Sequence, residues 1–243
     1  MLFIDKRVIK KTMKIKFYIF ILAPILITSF AVFATSQADI VVNNFYSTHN
    51  HKVIQDDVTE VLIEAFGSIT LPPEMEIQSG NYKTLTDKLK EILGIESESV
   101  VFQQKGLNDF NKDGFSTYAR IMIKTITSSP GTYPDLKKNK LSRKDLKDIE
   151  KELKDEIENS LSPMNIFITK WYPVTTEDID NFTSVKVRYD RQLDNNPEVE
   201  VEQYMIFNND RIHILTFSNR IEDRNEWISV FDDVKLSILI NRK

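Results

Sequence analysis

The sequence predicts an α+β domain in which a twisted antiparallel sheet is flanked by helices, and three patterns support this fold class. Residues 142–161 place apolar side chains at helical spacing. Residues 165–218 then switch to the period-two alternation that is typical of strands. From residue 223 to 234 the apolar spacing is helical again. Helices packed on an antiparallel sheet would bury all three patterns.

The first 34 residues have the three parts of a secretory signal peptide. Six basic residues lie within the first sixteen, residues 17–34 carry no charge, and small residues follow. This order predicts cleavage after Ala34 or after Ala38. An uncleaved membrane anchor is the alternative, because these eighteen residues approach the length that spans about 30 Å of hydrocarbon. In both cases we expect export to a periplasmic or secreted location, from a start at Met1 or Met13.

Composition excludes several kinds of site and partner. The 243 residues include no cysteine, so disulfides, thiolate nucleophiles and cysteine-bound metals are excluded. Without residues 1–34 the chain has 26 Lys and Arg against 35 Asp and Glu, a formal charge of −9. This balance disfavours nucleic acid and anionic lipid as partners. We therefore expect an unknown protein or small-molecule partner outside the cytoplasm, and membrane contact only through an uncleaved signal segment.

The segment before the main sheet pattern predicts a linker and a first helix. Residues 39–52 are polar and irregular, and we interpret them as a linker that precedes a single α+β domain at 53–243. Apolar residues recur at helical spacing from Ile54 to Phe66, and Gly67 ends the run. These residues predict a helix.

The later elements follow from the same rules. Ser142 with Asp145 three residues on predicts a capping box at the start of the central helix. Asn208-Asn209-Asp210 predicts a tight hairpin. The remaining predicted elements are an edge strand at 68–80 bent at Pro72-Pro73, a helix at 85–93 stopped by Gly94, strands at 99–103 and 118–126, a loop at 128–141, strands at 165–172, 183–191, 198–207 and 211–218, and a helix capped by Asp223.

The last fifty residues resemble the closing module of PsbP-like proteins. The similarity is carried by a hairpin that leads into a helix, at Tyr204, Phe207, Arg211, Leu215, Thr216, Phe217, Ser218, Trp227 and Phe231. The resemblance covers about a fifth of the chain and implies an α/β/α sandwich of the PsbP-like type. It also implies an accessory or binding module, as in a similar group of secreted bacterial proteins. Its motifs are structural rather than catalytic, so it assigns no site residue.

The sharpest chemical motif is the front half of a calcium loop. Asp109, Asn111 and Asp113 supply alternating oxygens, and Gly114 follows at the position where such a loop bends. Arg120 stands where the bidentate glutamate of a complete loop is expected. The alternative is an ordinary turn between two strands, which requires the same residue types. The calcium hypothesis predicts that millimolar calcium raises the melting temperature.

Other candidate groups have simpler structural interpretations. His49 and His51 lie in the predicted linker, and His213 lies within a strand, where a structural or surface imidazole is expected. We interpret Trp171-Tyr172-Pro173 as core packing and the basic residues Lys137, Lys138, Lys140, Arg143 and Lys144 as a solvated face, with a ligand site and a docking patch as the alternatives. Among the acids, a catalytic pair cannot be picked from the sequence.

These observations favour an exported non-catalytic binding or accessory module without a cofactor. An exported hydrolase that uses paired carboxylates is the first alternative. A calcium-dependent binding domain is the second.

Overall fold

The computed structural model describes residues 59–92, 99–136 and 141–242. The predicted signal helix, the linker at 39–52 and Gly94 lie outside these residues. None of the helices within them is long and apolar enough to cross a membrane. The described elements are β1 (Thr59–Ile63), β2 (Gly67–Leu71), β3 (Met75–Ile77), α1 (Gly80–Ile92), β4 (Val100–Gln104), β5 (Ala119–Thr127), α2 (Arg143–Leu161), β6 (Ile166–Trp171), β7 (Thr175–Ile179), β8 (Phe182–Leu193), β9 (Val199–Asn208), β10 (Arg211–Arg220), α3 (Arg224–Ser237) and β11 (Leu239–Ile240).

A large antiparallel sheet organises the domain. Its strands run in the order β3-β4-β5-β10-β9-β8, and β6 and β7 both pair with the outer side of the long strand β8. Strands β1, β2 and β11 form a small separate sheet. This arrangement confirms the predicted α+β class and the antiparallel sheet.

Alternation along the strands divides the core into two layers, one on each face of the large sheet. Helix α2 packs on one layer, which we call the α2 face, and helix α3 packs on the other, the α3 face. Residues of the α2 face include Val187, Val201, Met205, Ile214, Ile149, Leu153, Ile157 and Leu161. Residues of the α3 face include Ile121, Tyr204, Ile206, Leu215, Phe217, Trp227, Phe231 and Val234.

Helix α2 confirms its predicted cap and stripe. The Ser142 hydroxyl accepts a hydrogen bond from the Asp145 amide at 3.2 Å, and the Asp145 carboxylate accepts one from the Ser142 amide at 2.8 Å. Both bonds satisfy amide groups that the first turn leaves without helical partners. The four apolar residues spaced four apart along its stripe are buried: Ile149, Leu153, Ile157 and Leu161.

The late strands and their hairpin are also confirmed. Asn208 and Arg211 are paired at the end of β9 and β10, so Asn209 and Asp210 form a two-residue turn. Asn209 has a φ of 58°, which is the left-handed conformation that asparagine tolerates. Strand β10 lies in the middle of the sheet and is buried on both faces.

The helix predicted from Ile54 to Phe66 is wrong in its described part, because residues 59–71 form the β1–β2 hairpin. Leu62 is 82% exposed while its neighbour Ile63 is buried, which is the alternation of a strand. The apparent helical spacing arose because the turn adds Phe66 to the apolar residues of β1. Gly67 serves the close approach of β11, since a Cβ there would collide with the Leu239 carbonyl.

Two boundary predictions need correction. The bend at Pro72-Pro73 does break the chain, but the strand before it belongs to the small sheet and β3 after it belongs to the large one. Asp223 precedes α3 without capping it through its side chain. Its carboxylate instead accepts hydrogen bonds from the Thr117 hydroxyl at 2.8 Å and the Tyr118 amide at 2.9 Å. Asp223 therefore anchors the start of α3 to the residues that lead into β5.

Candidate functional site

Charged side chains replace the apolar core where the α3 face reaches β8. Strand alternation brings Lys186, Arg188 and Asp190 of β8 to this face, and Glu200 and Glu202 of β9 to the same face. We call these five residues the charged ladder. Arg188 lies directly opposite Glu202, and Asp190 lies directly opposite Glu200. Arg188 and Glu202 therefore form an opposite-charge pair across the adjacent strands, whereas Asp190 and Glu200 are two acids that face each other.

Ion pairs connect Lys186, Arg188, Glu200 and Glu202 of the charged ladder. Arg188 Nη2 lies 2.7 Å from Glu200 Oε2, and Arg188 Nε lies 3.8 Å from Glu202 Oε1. Lys186 Nζ lies 3.2 Å from Glu202 Oε1 and 2.9 Å from Glu177 Oε2 on β7. Each base therefore contacts two acids.

Helix α3 closes one side of the ladder and forms a small groove with it, the α3 groove. Arg224 Nε lies 3.5 Å from Glu200 Oε2, and Lys235 Nζ lies 3.9 Å from Glu202 Oε2. Lys235 also pairs with Asp232 at 2.6 Å. The groove offers about 70 Å³ to ligand atoms, room for a few waters or one side chain. Its lining is Glu200, Glu202, Phe217, Asn219, Arg224, Ile228, Phe231, Asp232 and Lys235.

The ion pairs hold these groups in their charged forms. Burial alone would raise the pKa of Glu202, but Lys186, the Tyr204 hydroxyl and Lys235 outweigh it and lower the pKa. Burial likewise opposes the charge of Lys186, but Glu177 and Glu202 raise its pKa overall. The Tyr204 hydroxyl donates to Glu202 at 2.9 Å, and burial together with that carboxylate raises the tyrosine pKa. Glu202 and Lys186 therefore keep fixed charges at neutral pH.

Asp190 is the exception within the ladder. Burial raises the pKa of this carboxyl, and the neighbouring charge of Glu200 adds to the effect. The Tyr172 hydroxyl donates to Asp190 Oδ2 at 3.0 Å, which opposes the rise. Glu200 instead contacts Arg188 and Arg224. Two facing carboxyls thus have different environments.

The calcium candidates lie in the loop between β4 and β5. Asp109 and Asn111 are exposed, and the side chain of Asp113 lies outside the described part. Backbone hydrogen bonds shape the loop, including Asn111 N to Gly106 O at 2.9 Å. No cluster of three His, Asp or Glu side chains fit to hold a metal ion occurs in the described residues. Calcium binding by this loop stays a prediction.

His213 is a buried, hydrogen-bonded imidazole on the α3 face. Its Nδ1 lies 2.9 Å from Thr125 Oγ1, and its Nε2 lies 3.2 Å from Asn208 Nδ2. Burial, followed by the positive charge of Arg211, lowers the pKa of His213 to about 4. The imidazole is therefore neutral at physiological pH. His49 and His51 lie outside the described residues.

The aromatic pair at the end of β6 divides between the two faces. Trp171 stacks on Tyr189 with ring centroids 5.5 Å apart. Tyr172 turns to the charged ladder, where the Arg188 guanidinium lies 4.3 Å from its ring centroid. Trp171 therefore packs in the core as predicted, whereas Tyr172 contacts the charged ladder. Of the basic cluster, Arg143 and Lys144 are exposed at the start of α2 and the three lysines at 137, 138 and 140 lie outside the described residues.

The charged ladder was not predicted as a site. Its signal was present in the alternation of Lys186, Arg188 and Asp190 against apolar residues, which is also the pattern of a solvated strand face. Only the pairing of β8 with β9, beside α3, brings the opposite charges together.

No protein-family model matches the chain, and no curated protein matches it in sequence. Cyanobacterial PsbP (CyanoP) from Synechocystis sp. PCC 6803 aligns with a TM-score of 0.47 and 10% identity, over 80% of this chain and 98% of that one. The Ran-binding protein Mog1p of Saccharomyces cerevisiae gives 0.41 and 10%, over 76% and 96%. A protein from Bacteroides thetaiotaomicron VPI-5482 gives 0.42 and 10% over 76% of this chain, which spans 48% of that protein's length. The chain is thus structurally similar to PsbP and Mog1p at low sequence identity.

Proposed function

We propose that the chain is an exported, non-catalytic binding module that recognises a protein partner through the α3 groove. The observation that supports this proposal is the pairing of the charges that surround the groove. Glu200, Glu202 and Lys235 each contact an oppositely charged side chain. Paired groups with fixed charges give an oriented electrostatic surface, whereas acid–base catalysis needs a group whose pKa lies near the working pH.

The groove also indicates the chemistry of the partner. Ile228 on α3 is 45% exposed at its rim, and Phe217 and Phe231 line it below. The groove is too small to enclose a typical metabolite. It fits one apolar side chain of a protein segment that carries charges of both signs on either side. An apolar anchor within a polar rim is a common arrangement in protein interfaces.

A photo-crosslinker placed at Ile228 tests the proposal in the exported compartment. We expect a discrete crosslinked partner, and we expect Arg224→Gln to weaken it, because that change removes a basic group from the rim. A crosslinker at Leu236 is the matched control, since this residue is 85% exposed on the same helix and does not line the groove. The same products at both positions, or none at Ile228, would reject the groove as the binding surface.

Export is tested separately by the mass of the purified native protein. We expect an N-terminus at residue 35 or 39, or an intact chain in the membrane fraction if the signal is kept as an anchor. An unprocessed chain in the soluble cytosol would contradict export. Failure of export would not decide the crosslinking experiment, because crosslinking tests the folded domain and not the signal segment.

A hydrolase is a second candidate because Asp190 and Glu200 form a facing pair with different environments. Asp190 would act as the acid, since its pKa is raised, and Glu200, which contacts Arg188 and Arg224, would be the second carboxyl. Hydrolysis of a panel of chromogenic glycosides and esters tests this alternative. The hydrolase hypothesis requires that the protein hydrolyses at least one substrate and that Asp190→Asn and Glu200→Gln each abolish this activity. The control Asp155→Asn, at an exposed position on α2, should retain the activity. Absence of turnover across the panel favours the binding module.

A further inference from the structure

Arg120 on β5 is a buried cation on the α2 face. Its side chain faces the opposite way from Ala119 and Ile121, which pack in the α3 layer, and only 4% of the residue is exposed. Its Nε atom is inaccessible to solvent and lacks a hydrogen-bond acceptor, and no ion pair involves Arg120 within the described ranges. Buried charged groups are normally paired, because removing an unpaired charge from water costs several kcal/mol.

The neighbours of Arg120 in the sheet do not supply the missing acceptor. Arg120 lies between Gln103 of β4 and Ser218 of β10 in the strand register. The Gln103 side chain accepts from Gln78 at 3.0 Å and donates to Asn108 at 3.1 Å. The Ser218 hydroxyl lies 3.3 Å from the Tyr118 hydroxyl. The side chains on both sides are therefore polar, uncharged and engaged with other groups.

A second buried arginine strengthens the positive field at this place. Arg191 of β8 is also 4% exposed and faces the α2 side with its neighbour Tyr189. Burial lowers the pKa of Arg191, Tyr189 and Tyr118 oppose this fall, and the positive charge of Arg120 adds a smaller lowering. An anion bound by Arg120 would offset the repulsion that Arg120 adds at Arg191.

We propose that Arg120, assisted by the positive field of Arg191, binds a compact oxyanion of the phosphate or sulfate class on the α2 face. A guanidinium fork matches two oxygens of such an anion and makes strong, charge-assisted hydrogen bonds. The low exposure of Arg120 favours a free inorganic ion over a phosphate carried by a larger molecule. This site lies on the face opposite the α3 groove, so it is independent of the proposed function.

Thermal unfolding of the purified protein at constant ionic strength tests the proposal. We expect a saturable rise in melting temperature with inorganic phosphate and with sulfate, and none with chloride. Phosphoserine and glucose 6-phosphate serve as organic phosphates for comparison. We expect each to bind with at most a tenth of the affinity of the free ion. A response equal to that of chloride would overturn the proposal, and stronger binding of the organic phosphates would overturn the choice of a free ion.

Variants separate Arg120 from nonspecific salt effects. Arg120→Met should abolish the phosphate response and raise the melting temperature in anion-free buffer, because it removes a buried charge without a partner. Arg120→Lys keeps the charge but lacks the fork, so we expect at least tenfold weaker phosphate binding by calorimetry. Arg143→Met, at an exposed position on α2, is the matched control and should keep the response. A full phosphate response in Arg120→Met or Arg120→Lys would contradict the assignment.

Discussion

Two arginines on opposite faces of one sheet show how the domain accommodates buried charge. Arg188 on the α3 face lies 2.7 Å from Glu200 and 4.3 Å from the centroid of the Tyr172 ring. Arg120 on the α2 face has neutral neighbours in the register and no ion pair in the described residues. The first charge is neutralised by the adjacent strand. The second has no opposite charge facing it across either neighbouring strand.

The strand register decides whether a charged side chain in a sheet stabilises the fold or is available for binding. When the facing residue has the opposite charge, the attraction between the two side chains offsets the free-energy cost of removing the charge from water. When the facing residue is neutral, the same side chain becomes a candidate site for a ligand of opposite charge.

Trp227→Ala should have the largest effect, because it removes the anchor of α3 from its face. Trp227 is 2% exposed, and its indole N–H donates to Thr117 Oγ1 at 2.8 Å. We expect a loss of about 4 kcal/mol in the free energy of unfolding, measured by urea denaturation. Trp227→Phe keeps most of the apolar contact and should lose about half as much. A loss below about 1 kcal/mol for the alanine variant would show that α3 contributes little to its face.

The pH dependence of stability should report His213. Its pKa is about 4 in the fold and about 6.5 when unfolded, so the unfolded state binds the proton first as the pH falls. Stability is therefore complete above pH 6.5 and declines between pH 6.5 and 4, by roughly 3 kcal/mol in total. His213→Gln should flatten this part of the profile obtained from denaturant titrations. An unchanged slope in the variant would assign the decline to other groups.

Arg188→Met should destabilise the protein because it leaves Glu200 and Glu202 with fewer positive partners. Arg188 is partly exposed, so we expect a loss of about 2 kcal/mol rather than the larger cost of a fully buried pair. Adding Glu200→Gln should recover at least half of this loss, since it removes the acid that Arg188 contacts most closely. If the double variant is no more stable than the single one, the ladder does not act as a coupled network.

Lys154→Ala should have the smallest effect and gives the reference for an exposed pair. Its Nζ lies 3.7 Å from Glu158 Oε1 on α2, and both side chains are more than 40% exposed. We expect a change within about 0.5 kcal/mol, because water screens such pairs. A loss of stability similar to that of Arg188→Met would mean that the ion pairs of the charged ladder stabilise the fold no more than an exposed pair does.

The sequence predicted the elements that have a regular period over many residues. Helix α2 with its capping box, the strands β6, β8, β9 and β10, and the turn at Asn209 were confirmed because their signals are local. The β1–β2 hairpin was mistaken for a helix because apolar residues from one strand and one turn imitate helical spacing over a few residues. Short segments carry too few residues to distinguish the two periods.

The candidate sites were less predictable than the fold. Alternation showed that Lys186, Arg188 and Asp190 share a face, and also that Arg120 shares one with basic and apolar neighbours. It could not show that β8 pairs with β9, or that β5 lies between β4 and β10. Whether each charge meets an acid depends on those neighbours.

Residues close together in the chain were enough to predict the fold class, the position of the long central helix and the turn of the last hairpin, because each of these depends on local patterns. The tertiary structure alone decided which charges meet, since Arg188 reaches Glu200 only across a strand register and Arg224 only across a helix–sheet contact. Electrostatic energy depends on distance and burial in space. These distances and burials are defined only once the strands have paired and the helices have packed on the sheet. For that reason the α3 groove and the charge of Arg120, unpaired within the described residues, could be identified only in the structure.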